Sequence, residues 1–185
     1  MINPLSLNIK IITKYITVIV FTCMFIIICW GTNKGFDITD EGYYILGLQT
    51  GQEIGANELT GGAHYIIKNI FGWIGLDIIN VRILRMILSF ICLSLFSYSL
   101  IIWIKNKVNN KVDFVLVFCF LGIGHFISYA YGPQSLSYNT VTSNFIIISF
   151  SFLLLGIELK CQTKKINYLF FSLSGIIVSM VFFVK

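Results

Sequence analysis

The chain has 185 residues, of which 57% are hydrophobic and 11% are charged, and its formal net charge is +5. A soluble domain carries about a quarter charged residues, so this chain has too little polar surface to cover its apolar content in water. Its basic residues stand in short clusters between apolar segments, a pattern that argues against nucleic acid as a partner and predicts a lipid bilayer instead.

Five apolar segments approach the length of about 20 residues that a helix needs to cross a bilayer. They predict an all-α, polytopic transmembrane helical bundle, a single transmembrane domain over residues 1–185 with spans at about 15–30, 78–104, 114–131, 141–159 and 168–184. The first span follows two lysines and lacks a cleavage site, which indicates an uncleaved signal anchor. Because the last apolar segment runs up to Lys185, we expect the chain to be a fragment of a longer protein.

The distribution of charge predicts the orientation. With the N-terminus in the cytoplasm, the cytoplasmic segments hold eight basic and two acidic residues, a net charge of +6, against −1 on the other side. This asymmetry follows the positive-inside rule. Together with an Ile-, Lys- and Asn-rich composition, it predicts a multi-pass protein of a bacterial inner (plasma) membrane. The first large loop, 31–77, is then periplasmic or extracellular.

The first outer loop contains Asp40 and Glu41, followed by Tyr43 and Tyr44. Carboxylates in the first turn and aromatic residues one turn later are typical of a short helix, which we expect to lie on the outer membrane surface. The residues alone leave two interpretations open. The acidic pair either stabilises the start of the helix or takes part in chemistry as a base or metal ligand.

A cytoplasmic N-terminus, a first span, and an outer loop with Asp40-Glu41 before a membrane-lying helix together resemble the GT-C glycosyltransferases. These polytopic enzymes take a sugar from a polyprenyl-phosphate carrier. The likeness is greatest to the branch of the protein O-mannosyltransferases and the lipid A aminoarabinose transferase, and it covers this chain as an N-terminal portion only. His64-Tyr65 stands where such proteins have a His- or Lys-containing stretch, here without the usual prolines. The stretch 136–140 also resembles bacterial members.

The resemblance implies that Asp40 is the catalytic base and that Glu41 assists it or binds metal. A divalent metal ion held by these two carboxylates is possible, and no other cofactor is implied. The implied partners are a polyprenyl-phosphate-linked sugar donor and a glycan, lipid or protein acceptor. Attack by the acceptor hydroxyl from the face opposite the phosphate would invert the anomeric centre.

Cations on the outer side would hold the leaving phosphate, and the candidates are Lys68, Arg82 and Arg85. The two arginines are three residues apart, so they share one helix face, and a guanidinium matches phosphate oxygens well. The alternative is that both side chains snorkel from the end of a span to the lipid headgroups.

The remaining candidates for substrate binding are Tyr43, Tyr44, His64, Tyr138 and Asn139. His64 would touch a phosphate or the acceptor, or it is an interfacial histidine hydrated by water. Asn139 would bind sugar, or the fourth span is capped through Asn139 or Thr140.

Two other functions remain open. A polysaccharide polymerase or flippase would also have many spans, but it would favour charged residues along a pathway within them, and the interiors of the last three spans are nearly free of charge. A truncated or accessory membrane subunit without catalysis of its own is the third interpretation.

Overall fold

A computed structural model describes residues 4–35, 42, 45–47, 49, 62–108, 112–130, 136–158 and 164–184. These residues form helices and short connections, and no strand occurs among them. The elements are α1 (Pro4–Gly31), α2 (Gly62–Phe71), a 3-10 turn (Gly72–Ile74), α3 (Ile78–Val108), α4 (Phe114–Ala130), α5 (Tyr138–Glu158) and α6 (Lys164–Val184). The all-α prediction is confirmed.

Four helices are long and apolar enough to cross a membrane, over Ile9–Gly31, Ile78–Lys107, Tyr138–Glu158 and Ile166–Val184. Helix α4 is equally apolar but has 17 residues, which span about 26 Å at 1.5 Å per residue. The prediction of a multi-pass transmembrane bundle is confirmed. The first helix is longer than expected because the apolar residues before Lys14 continue it, and α5 begins at Tyr138, three residues before the predicted start.

The four spanning helices and α4 pack in the order α1, α4, α3, α5, α6. Connections of only a few residues join α3 to α4 and α5 to α6, which makes these neighbours antiparallel. One end of the bundle therefore holds the start of α1 with Lys10 and Lys14 and the end of α3 with Lys105 and Lys107. We call it the lysine end. The opposite end holds α2 and the first turns of α3, and we call it the arginine end.

Helix α1 is attached to the bundle mainly through aromatic rings. Phe21 lies 5.6 Å from Phe118 and 5.2 Å from Phe126 between ring centroids, and both partners belong to α4. Gly122, between them, has no side chain, and a Cβ there would collide with the Phe21 ring. Phe25 continues the contact to Phe90 of α3. The close approach of α1 and α4 thus depends on one glycine.

Helices α5 and α6 are joined by a pair of buried serines. The Ser149 and Ser174 hydroxyls are 2.9 Å apart, and each hydroxyl also donates to the other residue's carbonyl at 3.0 Å. Small polar residues of this kind commonly bond spanning helices together, since lipid offers their hydroxyls no partner.

Three helices begin with a side chain that caps their free amides. Asp77 accepts from the Asn80 amide at 2.7 Å, and Asp113 accepts from two amides at 3.0 and 3.3 Å. At the start of α5, the Ser137 hydroxyl accepts from the Thr140 amide at 3.3 Å. The expected cap through Asn139 or Thr140 is therefore wrong. The residue one position before the helix holds the cap, because only its side chain can turn back onto the third helical amide.

Charges at the lysine end pair with one another, Lys14 and Asp113 at the surface and Glu158 with its side chain only 8% exposed. Lys14 donates to Asp113 at 2.6 Å, which ties the start of α1 to the start of α4. This hydrogen bond, helped by the backbone amides of the α4 cap, holds the pKa of Asp113 below its usual value. Glu158 at the end of α5 accepts from Asn106 of α3 at 2.9 Å and lies 4.0 Å from Lys107.

The short helix predicted in the first outer loop has its described residues, 42, 45–47 and 49, in helical conformation. Whether this helix lies on the membrane surface remains a prediction.

Candidate functional site

Most of the described residues that the sequence singled out for substrate binding lie at the arginine end. Helix α3 contributes Arg82 and Arg85, α2 contributes His64, and α5 contributes Tyr138. The same helices, together with the end of α6, contribute a buried apolar cluster of Ile67, Val81, Leu84, Leu136, Val141 and Val184. The ends of α3, α5 and α6 and one face of α2 therefore meet at this cluster, with polar side chains adjacent to it.

Helix α2 packs against the other helices through His64 and Ile67, which are three residues apart and share one face. Both are buried, and His64 is only 1% exposed. The start of α2 is held close to α6, because Gly62 touches the Phe183 carbonyl and any Cβ at this position would collide with it. The interpretation of His64 as a hydrated interfacial histidine is wrong, since protein atoms cover it.

Arg82 is 3% exposed and binds the backbone that follows α1. One terminal nitrogen, Nη1, donates to the carbonyls of Thr32 and Lys34 at 3.0 Å each, and Nη2 donates to the Gly35 carbonyl at 2.8 Å. The carbonyls beyond the last turn of a helix lack intrahelical partners, and the positive charge also suits the negative end of the helix dipole. Arg82 thus holds the first residues of the outer loop against α3.

Arg85 lies one turn further along α3 and is 4% exposed. The alternative that both arginines snorkel to the headgroups is wrong for this structure, because snorkelling would leave their guanidinium groups at the surface. A buried guanidinium has five donors in a rigid plane and can bind an anion that enters the bundle.

Two further polar groups lie inside α4 and α5. The His125 Nε2 and Asn144 Nδ2 atoms are buried without a hydrogen-bond partner in the described part of the chain. Asn144, in α5, accepts a weak hydrogen bond at its backbone oxygen from the Cys92 thiol of α3 at 3.9 Å. Sequence reasoning missed Asn144, although an amide inside an apolar span is itself a signal of function.

The other predicted residues divide into two groups. Lys68 and Asn139 are exposed, and Tyr138 is half-buried. The four residues Asp40, Glu41, Tyr43 and Tyr44 lie outside the described residues. Within the described ranges no group of three or more His, Cys, Asp or Glu side chains could hold a metal ion. The hypothesis of a metal on Asp40 and Glu41 therefore stays a prediction.

Comparison with known proteins gives no relative: no family model, curated protein or solved structure matches this chain. The functional interpretation thus depends on the residues themselves. What they offer at the arginine end is a pair of buried guanidinium groups, one fixed on backbone carbonyls and the other one turn further along α3.

Proposed function

We propose that this chain is a membrane glycosyltransferase of the GT-C type, or the N-terminal part of one. It transfers a sugar from a polyprenyl-phosphate carrier to an acceptor hydroxyl on the outer face of the membrane. The observation that supports this most is the burial of Arg82 and Arg85 at one end of a transmembrane bundle. Buried charges in a membrane protein are costly and mark binding sites more often than structural positions.

The two arginines have different roles in this proposal. Arg82 uses three hydrogen bonds to hold Thr32, Lys34 and Gly35, so it positions the start of the loop that carries Asp40 and Glu41. Arg85 is the candidate for the phosphate of the donor. Its depth, about two turns inside α3, suits a phosphate whose prenyl chain stays in the bilayer.

Asp40 accepts the proton of the acceptor hydroxyl in the proposed reaction. The hydroxyl oxygen then forms a bond to the anomeric carbon, while the bond from that carbon to the phosphate oxygen breaks. The electron pair of that bond leaves with the phosphate, whose negative charge Arg85 stabilises. Glu41 assists the base, or binds a divalent ion together with Asp40. Because attack and departure occur on opposite faces, the anomeric configuration inverts.

The orientation belongs to the same proposal. The lysine end faces the cytoplasm and the arginine end faces the periplasm or the outside of a bacterial inner membrane. Labelling of single cysteines at Lys107 and at Asn139 with a membrane-impermeant reagent tests this, because only the variant at Asn139 should react in intact cells.

The decisive test is Asp40→Asn in the full gene product, assayed with a polyprenyl-phosphate sugar in membranes. Transfer should be abolished while the amount of inserted protein stays unchanged, because the amide cannot accept the proton. Asp37→Asn is the matched control in the same loop and should leave transfer intact. Full activity of the Asp40 variant would remove this residue from the mechanism.

Arg85→Ala tests the donor site. The KM for the donor should rise roughly tenfold or more, since a charge-assisted hydrogen bond contributes about 1.5–3 kcal/mol, while kcat changes less. Arg85→Lys keeps the charge but loses the planar guanidinium. Its KM for the donor should therefore lie between those of the native chain and Arg85→Ala. Loss of expression in both variants, with no change in KM of the protein that remains, would mean that Arg85 is structural.

The alternative of a polymerase or flippase is less well supported, because in the described parts of α4, α5 and α6 the only charged residues lie in the first or last turn. An accessory subunit without catalysis remains the third candidate. It predicts that no variant of Asp40 or Glu41 changes transfer by the complex it joins, whereas variants at the helix contacts do.

A further inference from the structure

The outward face of α2 and the 3-10 turn carries large apolar and aromatic side chains. Trp73 is 83% exposed, Tyr65 is 64% exposed and Ile70 is 54% exposed. All three occur within nine consecutive residues, on an element whose opposite face is buried. An isolated exposed apolar residue is ordinary on a protein surface, but a concentration of this kind indicates a partner.

The position of α2 along the bundle identifies which layer its outward face meets. The apolar cluster that covers it includes Val81, Val141 and Val184, each within a turn of the end of a spanning helix. Helix α2 therefore lies level with the ends of α3, α5 and α6. These ends mark the boundary between hydrocarbon and headgroups, since the spans of α5 and α6, with 21 and 19 residues, match the hydrocarbon thickness of about 30 Å.

The turn after α2 keeps Trp73 at the same level. Trp73 precedes Ile78, the first residue of α3, by five positions, and five extended residues reach at most about 18 Å. The actual reach is shorter, because the Asn80 side chain donates to the Ile74 carbonyl at 3.2 Å and draws the turn back onto the first turn of α3. The indole ring therefore stays close to the end of a spanning helix.

The chemistry of the exposed face suits lipid headgroups. The Trp73 Nε1 donates to the Ile70 carbonyl at 2.9 Å, so the indole has its hydrogen bond and its ring can enter a less polar layer without losing one. Tryptophan and tyrosine are enriched at this boundary of membrane proteins. Lys68, exposed on the same helix, supplies a cation for lipid phosphates.

We infer that residues 62–74 form an interfacial anchor, in which Tyr65, Ile70 and Trp73 lie among the lipid headgroups and upper acyl carbons and Lys68 contacts lipid phosphate. The anchor depends only on the bundle crossing a bilayer, and it is independent of any transferase activity. It would fix the level of the arginine end relative to the membrane surface.

The test uses tryptophan fluorescence in vesicles of phosphatidylcholine and phosphatidylglycerol. Trp30→Phe and Trp103→Phe leave Trp73 as the single tryptophan of the full chain. Lipids brominated near the headgroup end of the acyl chain should quench its emission strongly, lipids brominated near the terminal methyl should quench it weakly, and aqueous iodide should have little effect. A second protein, with Trp73→Phe and Tyr65→Trp added, should behave in the same way.

Two results would overturn the inference. Strong iodide quenching with no effect of either brominated lipid would show that the face points into water. Emission insensitive to both quenchers would show that protein covers the face, either another part of this chain or a second copy. Far-UV circular dichroism of each variant checks that the helices are intact. If the Trp30 and Trp103 replacements unfold the chain, quenching by the brominated lipids is measured for the native chain and for Trp73→Phe. The difference between the two is the quenching of Trp73.

Discussion

The exposed ion pair of the lysine end and the buried arginines of the arginine end use charge in opposite ways. At the lysine end, Lys14 and Asp113 pair at the surface with side chains about 40% exposed, so water competes with the pair. At the arginine end, Arg82 and Arg85 are almost completely buried, and Arg82 binds backbone carbonyls. An exposed pair of this kind contributes little to stability, whereas a buried guanidinium requires precise partners. Charges at the lysine end are therefore suited to set topology, and those at the arginine end to hold structure and ligands.

The largest effect should follow from Arg82→Ala. The substitution removes three hydrogen bonds from the carbonyls after α1, and we expect the free energy of unfolding in detergent to fall by about 2 kcal/mol. Arg82→Lys is the matched control and should recover part of this, because an ammonium can reach one or two of the three carbonyls. A loss as small as that of a lysine-end variant would remove the distinction between the two ends.

Breaking the serine pair in the middle of the bundle should lower stability by an amount between those expected at the arginine end and at the lysine end. Ser149→Ala should lower stability by about 0.6 kcal/mol, the average for hydrogen bonds between spanning helices. Ser174→Ala should cost a similar amount, and the double variant should cost less than the sum, because both remove the same bonds. A double-mutant cycle measured by denaturation in mixed micelles gives the coupling. Strict additivity would contradict the observed pairing.

The smallest effect belongs to Asp113→Asn, which removes the charge but keeps a capping side chain. At neutral pH we expect a loss of about 0.5 kcal/mol or less, since the pair is exposed. The folded pKa of Asp113 is depressed, so its contribution is complete above the unfolded pKa and disappears as the pH falls through the folded pKa. Thermal unfolding of the native and variant chains from pH 7 to pH 3 should therefore converge at the acid end. A difference that persists unchanged at pH 3 would show that the charge is not its cause.

The helices could be predicted from the sequence because a bilayer permits few alternatives to an apolar helix of about 20 residues. The bounds of α3 and α6 match the predicted spans at their arginine ends, at Ile78 and Val184. The start of α5 differs because Ser137 supplies the cap and the sequence offered three hydroxyl or amide candidates within four positions. Residue type alone does not choose among them. The choice depends on which side chain lies within hydrogen-bond distance of a free backbone amide.

The site could be predicted only in part, because burial depends on which faces meet. The spacing of Arg82 and Arg85 showed that they share a helix side, but it could not show that protein rather than lipid covers this side. The partners of Arg82 are backbone carbonyls of Thr32, Lys34 and Gly35, about 50 residues earlier in the chain. Main-chain acceptors leave no trace in residue type, so no sequence pattern could have identified them.

The position of α1 has a consequence for how the protein is made. Among the described residues its ring contacts are to α3 and α4, through Phe90, Phe118 and Phe126, and none of these partners exists when α1 leaves the ribosome. At about 5–20 residues per second, synthesis from Gly31 to Ala130 takes roughly 5–20 s. During that interval α1 must be stable in lipid as a single helix. Its apolar character on nearly all sides allows this, and the aromatic contacts through Gly122 then form late, as a step of assembly and not of insertion.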